Sequence, residues 1–199
     1  DEESVDYLKD EEEEAAWNHI ADFIKSEKPD LIILEDYNKG FLTAKIISGI
    51  IGIARDHGVF IGVDPKDKNF FQYVGVDLFK PNLREASQAA HQQLGEGDLG
   101  ELSTDWRKRM NISTIAITLG AMGVFLQDNS DEIHVRPERS IDVIDVCGAG
   151  DAVICSLALG MMSGLELRAL GSLANLTGAY VCSHSGVVTV DVGAIYQWI

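Results

Sequence analysis

Short apolar runs of strand length alternate with longer stretches of helically spaced apolar residues, and this alternation constrains the fold more than any single motif. Leu31-Ile32-Ile33-Leu34, Val59 to Val63, Asp77 to Phe79 and Thr114 to Leu119 are the runs. Between them lie a stretch from Thr43 to about Asp56 with Ile46, Ile47, Ile50 and Ile53 inward, one opened by Pro81-Asn82 and reaching about Leu94, and one around Leu102 to Met110. An earlier helix starts from the acids Asp10 to Glu14, where the helix dipole favours them, and turns Ala16, Trp17, Ile20, Phe23 and Ile24 inward. Thr43 is placed to cap its helix and Gly58 to end it. Repeated βα units predict an α/β fold: a mostly parallel, doubly wound sheet with helices on both faces, formed by residues 1–199 as one domain. Val124 to Gln127 and Ile133 to Val135 read as a hairpin across Asp128-Asn129-Ser130-Asp131. Two long helices, Ala152 to Ser163 and Glu166 to Ser183, a strand Val187 to Val190 and a helix from Val192 to Trp198 complete the expectation.

In such sheets ligands bind at the carboxyl ends of the strands. Polar clusters follow five of the predicted strands: Asp36 to Lys39, Asp64 to Lys66, Asn82 to Glu85, Thr118 to Gly123 and Asp145 to Asp151. Each alone has an ordinary explanation in turn chemistry, since Gly, Asn and Asp populate loops for conformational reasons. Their shared placement along one rim is harder to ascribe to turns.

The densest cluster is Asp145-Val146-Cys147-Gly148-Ala149-Gly150-Asp151, at the mouth of an apolar helix. Gly-Ala-Gly at a helix start leaves backbone N–H groups bare and facing forward, which makes an anion site with a carboxylate beside it. The plainer alternative is a glycine turn with Asp151 as the cap. Composition narrows the ligand. A formal net charge of −16 argues against a general electrostatic footprint for nucleic acid or an anionic membrane. Three widely spaced cysteines, Cys147, Cys155 and Cys182, suggest neither a disulfide framework nor a zinc site. No apolar run approaches membrane-span length and the N-terminus is acidic, so a cytoplasmic protein is expected.

Several nucleotide and hydrolase signatures are absent. Val153 stands where a dinucleotide fingerprint needs its third glycine, no G-x-x-x-x-G-K-[ST] occurs, and no G-x-S-x-G occurs. The five histidines have no metal-ligand spacing. What the chain does carry resembles the PfkB (ribokinase-like) carbohydrate kinases. Asp145 to Ala158 looks like that family's late signature D-[TV]-x-G-A-G-D, with Cys155 and Ser156 in place of its usual Ala or Gly. Asn82-Leu83-Arg84-Glu85 resembles its N-x-x-E, Thr118 to Gly123 its T-x-G-x-x-G, and Asn175 sits where a late helix meets adenine. Within the family, Glu35 to Gly40, Val63 to Lys66 and Phe79 to Leu83 look most like the kinase domain of the heptose-phosphate enzymes that build ADP-heptose.

The resemblance implies ATP and Mg²⁺ as cofactors and a sugar or sugar phosphate as substrate. Asp151 would accept the proton of the attacking hydroxyl, and Gly148, Ala149, Gly150 and Asp151 would stabilise the transferring phosphoryl group through their N–H groups. Asn82 and Glu85 would organise Mg²⁺ and phosphate, partly through water. Thr118, Gly120, Gly123 and Asn175 would lie along the nucleotide, and Asp145 would help hold a monovalent cation such as K⁺. Lys39 and Lys66 are the basic residues near enough to offset phosphate charge, with ordinary surface lysines as the alternative. The resemblance also implies a longer protein, whose N-terminal sugar-binding strands and lid, the surface through which relatives form homodimers, are missing here. A catalytically idle nucleotide-binding or assembly module of the same fold is the second expectation.

Overall fold

A computed structural model describes residues 6–138, 141–191 and 193. After helix α1 (Asp10–Glu27) the chain alternates β1 (Leu31–Glu35), α2 (Ala44–His57), β2 (Phe60–Asp64), β3 (Leu78–Phe79), α3 (Leu83–Ala89), α4 (Leu99–Met110) and β4 (Thr114–Thr118). The hairpin β5 (Val124–Gln127) and β6 (Glu132–Val135) comes next, then α5 (Ala149–Met162) and α6 (Leu167–Cys182). The six strands form one sheet in sequential order, parallel from β1 to β4 and antiparallel from β4 to β6. β1 lies at one edge, with the backbone of its outer side unpaired among the described residues.

Strand alternation sorts the core into two layers. Ile115, Ile117 and Phe79 face α1 to α4, in a cluster with Ile46, Ile47, Ile50, Phe70, Tyr73 and Trp106. Ala116 and Leu78 face the other way, onto Val153, Ile154, Leu157 and Ala158 of α5 and Leu170 and Ala174 of α6. α5 lies close over Gly62 of β2: a single methyl there would already be in contact with Ile154, at 3.7 Å. Small residues at Gly62 and Ala116 thus seat α5 directly on the sheet, and its N-terminus arrives at the carboxyl ends of the strands. Among the described residues, no helix is long and apolar enough to cross a membrane.

Local signals explain most boundaries. Thr43 accepts the N–H of Ile46 at 3.2 Å, and Gly58 ends α2 in the left-handed region with φ 68°. Four expectations need correction. The helix opened by Asn82 stops at Ala89, because His91 turns into the left-handed region (φ 53°) and the chain leaves for a 3₁₀ turn. Phe23 of α1 is 54% exposed, and Ala21 is buried instead. Helix α5 starts at Ala149, three residues early, because Gly148 takes φ 74° and is itself the cap; Asp151 is the third residue of the first turn, not the cap. Val187 to Val190 forms no strand. The expected helix from Val192 lies almost wholly outside the described residues.

Candidate active site

The five polar clusters do gather on one rim. β1 and β2 are in register so that Glu35 stands opposite Asp64, each the last residue of its strand. The ladder continues past the strands: Asp36 N–H donates to the Asp64 carbonyl, Thr118 N–H donates to the Pro81 carbonyl, and Asn82 bridges Thr118. Into this rim α5 inserts its first turn. Ala149 N–H donates to the Val146 carbonyl at 3.3 Å and Ala152 N–H to the Gly148 carbonyl at 3.0 Å. The N–H groups of Gly150 and Asp151 have no acceptor among the described residues. They are the orphan donors of the helix start and carry its positive dipole end. The anion site expected from Gly148 to Asp151 is therefore narrower than the motif suggests, since the Ala149 amide is already engaged. Gly148 is needed for its left-handed backbone.

From this helix start a groove of about 470 Å³ runs between the β4–β5 turn and α6. Asn82, Thr118, Gly120, Gly123, Ala149, Gly150 and Asn175 all line it, among aliphatic residues that include Val124, Val146, Val153 and Ala174. It is apolar along its length and ends at bare amides, a shape that suits a flat base joined to an anion. Two of its motif residues have structural duties as well. A Cβ on Gly123, at φ 96°, would lie 2.1 Å from the Val135 carbonyl oxygen, so only glycine fits. Asn175 donates from Nδ2 to that same carbonyl at 2.9 Å, tying α6 to the end of β6. A larger polar depression of about 940 Å³ opens at the opposite, amino ends of the strands. No motif residue reaches it, and its Arg107 is committed to the Ser113 and Asp128 carbonyls and Asn129 Oδ1.

Beyond the α5 start lies a charged ledge. Carboxylate oxygens of Glu35, Asp64 and Asp151 lie within 4.8 Å of one another. Lys80, 2% exposed, reaches Asp64 Oδ2 at 2.8 Å, and a Cβ on Gly150 would stand 3.4 Å from that oxygen, so this ion pair lies directly beneath the first turn of α5. Asp64 Oδ1 is buried without a hydrogen bond, its nearest cation being Lys66 at 3.6 Å. Asn82 and Glu85 form a reciprocal capping box, each side chain accepting the other's backbone N–H at 2.9 Å. The remaining Glu85 oxygen pairs with Lys66. Burial pulls the Lys66 ammonium down, but Glu85 and Asp64 outweigh it and the net shift is upward.

Glu35 is the group most changed by this crowding: burial first, then the charges of Asp64 and Asp151, push its carboxyl up to about 7. Tyr37 Oη donates to Asp151 Oδ1 at 3.0 Å. Asp145 lies on the loop before α5, its oxygens accepting the N–H groups of Gly186 at 2.9 Å and Cys147 at 3.1 Å, which hold its carboxyl below the usual range. Lys39 is exposed on the β1–α2 loop. The structure thus brings the predicted residues into two groups, the groove set and the ledge set of Lys66, Glu85 and Asp151, with Asp145 tying the β6–α5 loop to Gly186 beyond the end of α6. Sequence reasoning placed Tyr37 and Asp64 inside rim clusters without giving either a role, and missed Glu35 and Lys80 as members of the ledge. Glu35, Asp64 and Lys80 shared a signal, a charged residue at the very end of an apolar strand.

The pfkB family carbohydrate kinase model matches residues 4–192. The chain belongs to that family. Among curated relatives, the bifunctional protein HldE of Aliarcobacter butzleri is 33% identical over all of this chain and 41% of its own length. HldE of Caulobacter vibrioides is 36% identical over 83% of this chain and 35% of its own length. The chain therefore spans about two fifths of the length of such relatives. Among solved structures, phosphofructokinase-2 of Escherichia coli in complex with potassium superposes with a TM-score of 0.83 at 15% identity, over 96% of this chain and 62% of that one. Arabidopsis thaliana ribokinase complexed with ribose and ATP gives 0.74 at 16% identity, over 96% and 59%. These two likenesses establish a ribokinase-like fold.

Proposed function

We propose that this chain is the nucleotide-binding and catalytic portion of an ATP-dependent kinase that phosphorylates a hydroxyl of a sugar or sugar phosphate. The observation that carries this reading is the groove of about 470 Å³ that ends at the free N–H groups of Gly150 and Asp151, with the Asp151 carboxylate just beyond. The adenine and ribose would lie along the aliphatic walls between Thr118, Gly120, Gly123 and Asn175, and the phosphates would point to the α5 start. There the two free amides, the Gly148 turn and the helix dipole would hold charge spreading over the transferring phosphoryl oxygens. Removing one such donor typically costs ~10²–10³ in rate. Asp151 would take the hydroxyl proton as attack proceeds, which asks for position more than for a raised pKa in a loose transition state.

Buried oxygen donors suit Mg²⁺, and the ledge offers Asp64 Oδ1, buried and without a hydrogen bond, beside Glu85. Both Glu85 oxygens are engaged, so Glu85 would act on the ion through water. Bound there, Mg²⁺ would supply charge neutralisation for the β- and γ-phosphates. Lys66, and Lys39 from the neighbouring loop, would offset phosphate charge, and Asp145 would balance a monovalent cation such as K⁺. The resemblance of the stretches Glu35 to Gly40, Val63 to Lys66 and Phe79 to Leu83 to the heptose-phosphate enzymes favours a heptose 7-phosphate as substrate, and an ATP-using reaction of this kind belongs in the cytoplasm.

The test uses the full-length gene product, since this chain spans only part of its relatives. Kinase activity is measured on a panel of sugars and sugar phosphates, with ATP·Mg²⁺ binding followed by titration calorimetry. Asp151→Asn should lose about 10²–10⁴ in kcat with ATP binding retained. Undiminished phosphorylation by that variant would refute Asp151 as base. Absence of ATP binding by the parent protein would refute the nucleotide site, and with it the alternative of an idle nucleotide-binding module.

A further inference from the structure

We propose that Tyr37 is a positioning residue for Asp151, holding one carboxylate oxygen so that the other faces the incoming hydroxyl. The inference rests on the kinase reading above and adds a residue to it. The Tyr37–Asp151 hydrogen bond, 3.0 Å long, joins positions 114 apart in sequence, and no other side chain hydrogen-bonds Asp151 among the described residues. Asp151 is exposed on the first turn of α5, free to rotate about two side-chain torsions. Carboxylate oxygens of Glu35 and Asp64 lie within 4.8 Å of it, and like charges at that range drive it outward, away from the rim. The phenol opposes that drift.

Tyr37 is suited to the task by its own anchoring. Its neighbour Asp36 is 3% exposed and accepts the Asn38 N–H at 2.8 Å, Asn69 Nδ2 at 2.9 Å and Tyr73 Oη at 2.7 Å. Asn38, on the other side, takes a left-handed backbone (φ 56°), and its side chain bonds Asp67. The loop is thus fixed on both flanks of Tyr37, while the ring itself is 55% exposed and little held by packing. Burial of the phenolic oxygen and the facing Asp151 push the hydroxyl's pKa up to about 12, so it remains a donor across the working range. The charged and titratable groups around the pair are Glu35 on β1, Asp64 on β2, Cys155 on α5, and Lys66 and Lys80.

The experiment compares Tyr37→Phe, Tyr37→Ala, Asp151→Asn and the Tyr37→Phe/Asp151→Asn double variant of the full-length gene product, on whichever sugar phosphate the parent enzyme uses. Tyr37→Phe should lower kcat about tenfold, the scale of one hydrogen bond to a charged group. The KM for ATP should stay within about twofold, and Tyr37→Ala should match Tyr37→Phe. In the Asp151→Asn background, Tyr37→Phe should reduce the residual rate no further, because the group it positions is gone. Wild-type kcat in Tyr37→Phe with a deficit only in Tyr37→Ala would overturn the proposal in favour of ring packing. An equal loss in both backgrounds would overturn it too. If Asp151→Asn is impaired while Tyr37→Phe is not, only this inference fails; if Asp151→Asn is fully active, the kinase reading fails and takes the inference with it.

Discussion

The groove and the ledge are the two halves of one rim, and they are built on different principles. The groove is shaped by backbone and by the absence of side chains: Gly120, Gly123, Ala149 and Gly150 leave room, and aliphatic walls do the rest. The ledge is shaped by charge: Glu35, Asp64, Asp151 and Glu85 against Lys66 and Lys80, several of them buried. A half defined by shape should tolerate changes of pH and salt and fail on added volume. A half defined by charge should tolerate volume and fail when one partner is deleted. Four variants probe that division.

The largest expected effect is on the ledge. Lys80→Met nearly preserves volume but strands the Asp64 carboxylate, 6% exposed, with only Lys66 at 3.6 Å. Breaking a buried pair from one side typically costs about 3–5 kcal/mol. Chemical denaturation should show a loss near the lower end, and Lys80→Met/Asp64→Leu should recover much of it. A loss below about 1 kcal/mol in the single variant would mean that the ledge is solvated and the contrast is false. Next comes the groove. Gly123→Ala forces a Cβ into the Val135 carbonyl at a positive φ and should cost about 2–4 kcal/mol, nearly independent of pH between about 5 and 9.

Glu35→Gln separates the halves by pH. The Glu35 carboxyl is raised from 4.5 to about 7 in the folded protein, so folding favours its protonated form. That favourable state is fully present below about pH 4.5 and is lost as pH rises through 7. The neutral amide removes the penalty. Glu35→Gln should therefore leave stability near pH 4 almost unchanged and raise it near pH 8 by roughly 1–2 kcal/mol, after allowance for solvent screening at a half-exposed site. A thermal-melt series that runs parallel to wild type across this range would contradict it. The smallest effect belongs to Asn175→Ala, which removes one hydrogen bond to the Val135 carbonyl. About 1 kcal/mol of stability and a few-fold weaker ATP binding by calorimetry are expected.

The same division explains what could be read from the residues in order. The groove was legible in outline because its motifs are local: Asn82 with Glu85, Thr118 to Gly123 and Gly148 to Asp151 are short contiguous stretches beside apolar runs, although the left-handed turn at Gly148 that shifts the start of α5 was not read. The alternation of apolar runs likewise located every strand from β1 to β6. The ledge was legible only in part. Asp151 and Lys66 stand inside recognisable clusters, but Glu35 matters because parallel register sets it opposite Asp64, and Lys80 because it leaves the end of β3 in the buried middle of the sheet. Those are facts of neighbouring strands, far apart in sequence. The error at Val187 to Val190 has a similar origin. A β-branched run has strand propensity, but here it gains no partner strand among the described residues; the chain just before it is held by the Gly186 N–H on Asp145 Oδ2.

The sheet also carries an open seam. β1 presents the residues Leu31 to Glu35, four apolar and one acidic, with its alternate amide and carbonyl groups turned outward and unpaired among the described residues, and neither proline nor lysine within it. Such a border is a template for any other extended segment, including the β1 of a neighbouring molecule. For work on the isolated polypeptide, protein concentration is therefore the variable to watch. Self-association should set in with concentration while each molecule is still folded, well before heat or denaturant loosens the core.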